Sequence, residues 1–352
     1  MNFIPSLELS RMLFTEQIRP TLEKEFPGLE YAAATLGMCS EVLGLDDEVS
    51  LDHEWGPRVT LFLNEQDKAR LAQEIHQVMQ GALPESFKGF PMMWRKPGVG
   101  IHDTRETALY HVWVTTAAES LGNIGIKRLP LEDLDWLKIS EQHLCEFTAG
   151  VVYRDDTGEL TRARDLLRYY SDDVLRFLLR CEWNAVGGDW FPIGRIGSRG
   201  DELGLRLQAA KIAQRFMRIA FMVSRTYATY KKWFGTLFMR LPIAAELQPR
   251  LLDLLEEKRW QQVEEKIGGI ADVLLAQQNR LGIAPRVTLK KTKAHDGRHY
   301  INYDFWRIGN LLAGKLQPPL KTLMENEVFF MDDRSLILWN EEVGKWILHL
   351  QK

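Results

Sequence analysis

Apolar residues recur at three- and four-residue spacing through much of the chain, but the first 125 residues break that rhythm with short runs of a different kind. Residues 4–24 place Leu7, Leu9, Met12, Leu13, Ile18 and Leu22 near helical spacing, which predicts an amphipathic helix that Pro27-Gly28 ends. Tyr31–Leu36 reads as a first strand or as a helix before a turn, and the pattern does not separate the two. Val59–Leu63 is a strand. Asn64 then caps a helix over Gln66–Met79 that carries Leu71, Ile75, Val78 and Met79 on one face. Residues 81–106 are rich in Gly and Pro, which predicts a long loop, and Leu109–Thr115 reads as another strand.

From residue 130 the pattern turns almost wholly helical. Ser140–Phe147, Arg162–Tyr169, Ser171–Trp183, Glu202–Tyr230 and Leu251–Leu281 all show the helical period. Ser171-Asp172-Asp173 is a helix start, with the Asp charges favourable at the N-terminal dipole. The sequence therefore predicts an α+β protein, with a small mixed sheet and helices over 1–125. A helical domain follows over 126–242, and a C-terminal helical region over 243–352.

The polar residues between the first two strands carry the candidate chemistry. Gly37 and Ser40 form a small turn, an acidic loop follows (Asp46, Asp47, Glu48), and Asp52 and Glu54 lead into the strand. In extended backbone, residues i and i+2 point to one side, so Asp52 and Glu54 present two carboxylates to one small volume. Two like charges that close need a proton or a cation, and hard oxygen ligands suit Mg²⁺ (or Mn²⁺). A polyphosphate over the Gly37–Ser40 backbone, bridged by the metal to the carboxylates, is the arrangement of phosphoryl or nucleotidyl transfer. Arg58 either assists there or pairs with a carboxylate.

This Gly/Ser turn, spacer and Asp-x-Glu opening a strand resembles the nucleotidyltransferase superfamily with the DNA polymerase β-like palm, with Cys39 where the signature has Gly before Ser. The resemblance continues through Leu-Asp-Trp-Leu (134–137), Glu-Phe-Thr-Ala-Gly (146–150), Val-Tyr-Arg-Asp (152–155), Arg-Gly-Asp-Glu-Leu-Gly (199–204) and Tyr-Lys-Lys-Trp-Phe-Gly (230–235). These look like a bacterial helical domain of unknown function that follows a nucleotidyltransferase-like domain, over roughly residues 30–240. The resemblance implies ATP or another NTP as substrate. It implies Asp52 and Glu54 as catalytic metal ligands, and Gly37, Ser40 and Lys232 as nucleotide-binding residues, Lys232 by similarity to antibiotic nucleotidyltransferases. It also implies a third carboxylate on a neighbouring strand. Tyr110-His111-Val112-Trp113-Val114 carries none, and Asp103 and Glu106 lie just before it. That departure keeps a second expectation open: a catalytically weakened nucleotide-binding or regulatory protein, an antitoxin-like or interaction module.

Other candidates stand further along. Gly194–Glu202 is a glycine-rich link in which Arg199 can hold an anion or acceptor. Asp201 reads as a helix cap or as part of that site, and Glu182 as a general base for an acceptor hydroxyl. Lys290–His299 is basic and is followed by Tyr300, Tyr303, Phe305 and Trp306, which reads as a charged loop or as a single-strand or acceptor surface.

Composition changes this picture little. With 352 residues and a net charge of −3, the chain does not indicate a broad nucleic-acid-coating surface, though it leaves room for a local basic groove. The three cysteines form no CxxC pair, so neither zinc nor disulfides are expected. No stretch reaches the roughly 18 apolar residues of a membrane span, and the N-terminus lacks a basic leader, so a cytoplasmic protein without membrane partners is expected. The acceptor, small molecule or macromolecule, is not specified.

Overall fold

The computed structural model describes residues 3–37, 40–49, 55–92, 112–293 and 300–325. In chain order its first elements are α1 (Ser6–Leu13), α2 (Arg19–Glu25), β1 (Ala32–Thr35), β2 (Val59–Phe62), α3 (Glu65–Ala82), the hairpin β3 (Ser86–Phe87) and β4 (Phe90–Pro91), β5 (Val112–Thr115) and α4 (Ala117–Asn123). Next come α5 (Asp133–Lys138), α6 (Glu141–Thr148), β6 (Val151–Asp155), α7 (Glu159–Leu166), α8 (Asp172–Trp190), α9 (Ile193–Gly197), α10 (Glu202–Val223) and α11 (Lys231–Phe238). The chain continues through α12 (Ala244–Glu256), α13 (Trp260–Arg280), β7 (Lys291–Lys293), β8 (Ile301–Tyr303), α14 (Phe305–Ala313) and α15 (Leu320–Glu325). Two compact units make up the chain: Met1–Pro130 with His143–Arg168, and Leu131–Gln142 with Tyr169–Lys352.

The first unit is built on a four-stranded mixed sheet in the order β5-β2-β1-β6. β1 runs antiparallel to both β2 and β6, and β2 runs parallel to β5. Central β1 is Ala-Ala-Ala-Thr, buried throughout. On one face Ala33, Val59, Leu61 and Val112 meet Leu9, Leu13, Ile18 and Leu22 from the N-terminal helices and Ile75 and Met79 from α3. A single π-helical turn, Phe14–Ile18, interrupts that N-terminal helix, and both Phe14 and Ile18 are buried.

β6 is the strand that the helical pattern conceals. It lies between two segments of helical period, and as an edge strand it is only partly buried, so its apolar signal is short. Two longer stretches also divide. The helix expected over Glu202–Tyr230 ends at Val223, because the N–H groups of Ala228 and Tyr230 donate to the side chains of Glu141 (3.0 Å) and Gln142 (2.8 Å) instead of to the preceding turn. Leu251–Leu281 divides at Glu257–Arg259, where the Glu257 carboxylate accepts the N–H groups of Lys258 and Arg259.

In the second unit, α8 is flanked by α10 and α14. Trp183 on α8 is wholly buried, stacks on Phe305 at 6.1 Å and donates its indole N–H to Gln278 at 2.7 Å. Segments α12 to α15 belong to this same unit. Among the described residues no helix is long and apolar enough to cross a membrane.

Candidate functional site

The loop between β1 and β2 is fixed at both ends where these two central strands meet. Thr35, the last residue of β1, donates its hydroxyl to the carbonyl of Arg58 at 2.6 Å, just before β2 begins. Tyr153 on β6 donates to the Thr35 hydroxyl at 2.9 Å, and burial pushes its phenol up to about 12, so it stays a neutral donor at physiological pH. The turn that starts the loop and the residues that end it are thereby held side by side.

Gly37 leaves β1 in the left-handed region, at φ +96°, where a side chain is strained. Its N–H donates to the carbonyl of Glu146 on α6 at 3.2 Å, so Gly37 contributes the turn and its amide points into the fold. Ser40 opens a 3₁₀ turn, Ser40–Leu43, closed by Gly44 N–H on Glu41 and Leu45 N–H on Ser40. Gly150, also left-handed, donates to Val42 at 3.0 Å. A Cβ there would fall 2.1 Å from the Thr35 carbonyl oxygen, so only glycine fits.

Inside the loop, charges meet partners. Arg58 pairs with Glu41 at 3.0 Å, with both side chains buried. Asp46 accepts the Ser6 N–H that opens α1 at 2.7 Å and the indole N–H of Trp55 at 2.9 Å. Trp55 is seated between Phe3 (5.8 Å, stacked) and Phe90 (5.0 Å, edge-on). Ser10 accepts the Arg58 N–H, and the Ser6 hydroxyl donates to the Gly56 carbonyl. Tyr153, Trp55, Asp46 and Glu41 carry this arrangement. The sequence signals it only by a Trp that directly follows the acid pair.

Asp52 and Glu54 lie outside the described residues, as do Asp103 and Glu106. Among the described residues no group of three His, Cys, Asp or Glu side chains converges to hold a metal. Glu41 and Asp46 are engaged by Arg58 and by Ser6 and Trp55, so the chain's further hard oxygen donors in this loop are those of the Asp52–Glu54 pair and its acidic neighbours. β5 presents Val112, Trp113, Val114 and Thr115, and no acid.

The remaining candidates sit in the second unit. Lys232 is exposed in the first turn of α11, with Nζ 4.9 Å from the Trp233 ring centre. Asp201 caps α10 by accepting the Gly204 N–H at 2.8 Å. Arg199 is exposed and donates to the Arg195 carbonyl at 2.6 Å. Glu182 lies in the body of α8. It faces Arg218 at 2.8 Å and Arg215 at 3.4 Å, within a chain of charges that runs from Lys211 through Asp189 to Arg215 and from Arg218 to Glu141. Burial opposes the Arg218 charge, but Glu182 and Glu141 outweigh it and hold its pKa above the usual range.

The model of a domain of unknown function (DUF4037) matches residues 136–234, which run from α5 into α11. No curated protein matches the chain. A crystal structure of a nucleotidyltransferase-like protein from Exiguobacterium sibiricum 255-15 is similar at 10% identity, over 82% of this chain and 83% of that chain, with a TM-score of 0.33.

Proposed function

We infer that the loop from Gly37 to Arg58 binds a metal–nucleoside triphosphate, and that the protein transfers a nucleoside monophosphate to an acceptor hydroxyl. One observation carries this reading: the Thr35–Arg58 hydrogen bond ties the two ends of the loop that holds the Gly37–Ser40 turn and the Trp55 anchor together at one end of the central strand pair. The acid pair precedes that anchor directly, and its resemblance to the polymerase β-like signature adds support. Asp52 and Glu54 would hold Mg²⁺, which supplies charge neutralisation of the phosphates and orients the α-phosphate. The acceptor hydroxyl oxygen bonds to the α-phosphorus and releases its proton to solvent, the bond to the β-phosphate breaks, and pyrophosphate leaves. Ser40 would bind phosphate oxygens, and Arg58, tied to Glu41, keeps the loop closed. Glu182 is held between two guanidinium groups, and we assign it no part in proton transfer.

A second reading is favoured by one feature. β5 offers no carboxylate beside β2, which suits a protein that binds the nucleotide and reports it without turning it over. Incubation with α-³²P-ATP, Mg²⁺ and panels of cationic small molecules, RNA ends and proteins tests the transfer. The proposal expects label moving to one acceptor class with pyrophosphate release. Tight Mg-dependent binding with no transfer would establish the second reading.

A further inference from the structure

The corner of the second unit where α8 meets α9 seats aromatic rings on glycines. A Cβ at Gly187 would meet the Trp306 ring at 3.5 Å, one at Gly194 would fall 2.6 Å from Tyr300, and one at Gly197 would fall 2.1 Å from Trp260. Phe191 follows Gly187 by one helical turn, with its N–H on the Gly187 carbonyl at 3.1 Å, so Phe191 and Trp306 flank the same turn. Both stay open to solvent, at 58% and 49% exposure, although burying such rings is strongly favourable.

Cations surround them. The Arg195 guanidinium lies 3.9 Å from the Phe191 ring centre, and Arg199 donates to the Arg195 carbonyl. The Lys290 carbonyl accepts the Asp304 N–H at 3.2 Å, which puts exposed Lys290 beside the start of α14, where Trp306 stands. Nearby carboxylates are engaged: Asp201 and Asp304 cap helices, Glu202 pairs with Arg206, and Glu265 pairs with Lys291. Among the described residues, Arg195, Arg199 and Lys290 have no carboxylate partner. Residues 286–307 hold six Lys and Arg against two Asp, in a chain whose net charge is −3.

Exposed aromatic rings beside cations without carboxylate partners match the chemistry of an unpaired strand, whose bases stack on rings while its phosphates meet cations. The core of a protein interface is depleted of charge, whereas here Arg195 lies against one ring and Lys290 stands beside the start of the helix that carries the other. We propose that this corner binds single-stranded nucleic acid, with Phe191 and Trp306 stacking bases and Arg195, Arg199 and Lys290 holding phosphates. The proposal does not rest on the nucleotide site of the first unit.

Fluorescence anisotropy of the full chain against labelled U20, dT20 and a 20-base-pair duplex, at 50 and 300 mM salt, tests it. The proposal expects single strands to bind more tightly than duplex, with affinity falling as salt rises. Trp306→Ala and Phe191→Ala should each weaken binding by about 5- to 100-fold, the range of lost base stacking, in variants that stay folded by circular dichroism. Arg199→Glu should weaken it as well and flatten the salt dependence. No binding of either strand at 50 mM salt would overturn the proposal. So would equal affinity in the Phe191→Ala/Trp306→Ala variant, or tighter binding of the duplex.

Discussion

Trp55 donates its indole N–H to the Asp46 carboxylate at 2.9 Å, and that carboxylate also takes the first N–H of α1 at 2.7 Å. One side chain thus ties the residue that follows the acid pair to the opening of the N-terminal helix. Asp46→Ala removes both bonds and leaves two partly buried donors unmatched. The expected loss is about 2 kcal/mol of stability, read by urea denaturation. Unchanged stability would mean that the loop is held by other contacts.

Arg58 and Glu41 form a buried ion pair, in which removal of one partner leaves the other charge stranded. Glu41→Ala alone should cost about 3–5 kcal/mol, whereas the Glu41→Leu/Arg58→Met double variant should lose far less. A double-mutant cycle measures the difference, and simple additivity of the two single losses would contradict the pairing.

Gly150→Ala is expected to be among the most damaging single changes in the first unit. The new Cβ meets the Thr35 carbonyl oxygen, a backbone atom that cannot swing away, and the backbone there is left-handed. A loss of about 2–4 kcal/mol is expected from overpacking and strain together, with the melting temperature as readout.

Glu264 makes stability depend on pH. Burial pushes its carboxyl up to about 7, against the hydrogen bond from the Ile301 N–H, with Glu265 raising it further and Lys291 lowering it. Below the ordinary glutamate range both folded and unfolded chains are protonated, and the group is neutral to stability. Between that range and about pH 7 the folded state holds the extra proton, so stability falls as pH rises; above it the full burial penalty remains. Glu264→Gln should flatten this part of the stability profile. An unaltered slope between pH 5 and 7 would assign the dependence to another group.

The caps at Asn64, Ser171 and Asp201 were legible because each is local: one side chain accepts an N–H two or three residues ahead. Strands β2 and β5 announced themselves by short apolar runs, whereas the run Tyr31–Leu36 that holds β1 left strand and helix open. β6 did not, because its five residues end in Arg154 and Asp155, none of them is fully buried, and it sits between helices. The loop's fastenings were illegible for a different reason. Asp46 reaches Ser6 across 40 positions and Tyr153 reaches Thr35 across 118, and no periodicity records such pairings. Gly37 illustrates the same limit: the sequence marks the turn, yet only the fold shows that its amide turns toward Glu146.

The metal–nucleotide site stands or falls on calorimetric titration of Mg-ATP and Mg-GTP into wild type and into an Asp52→Ala/Glu54→Ala variant. Saturable binding by wild type that disappears with EDTA and in the folded variant is expected. Absence of binding by folded wild type, or equal binding by the variant, would contradict it.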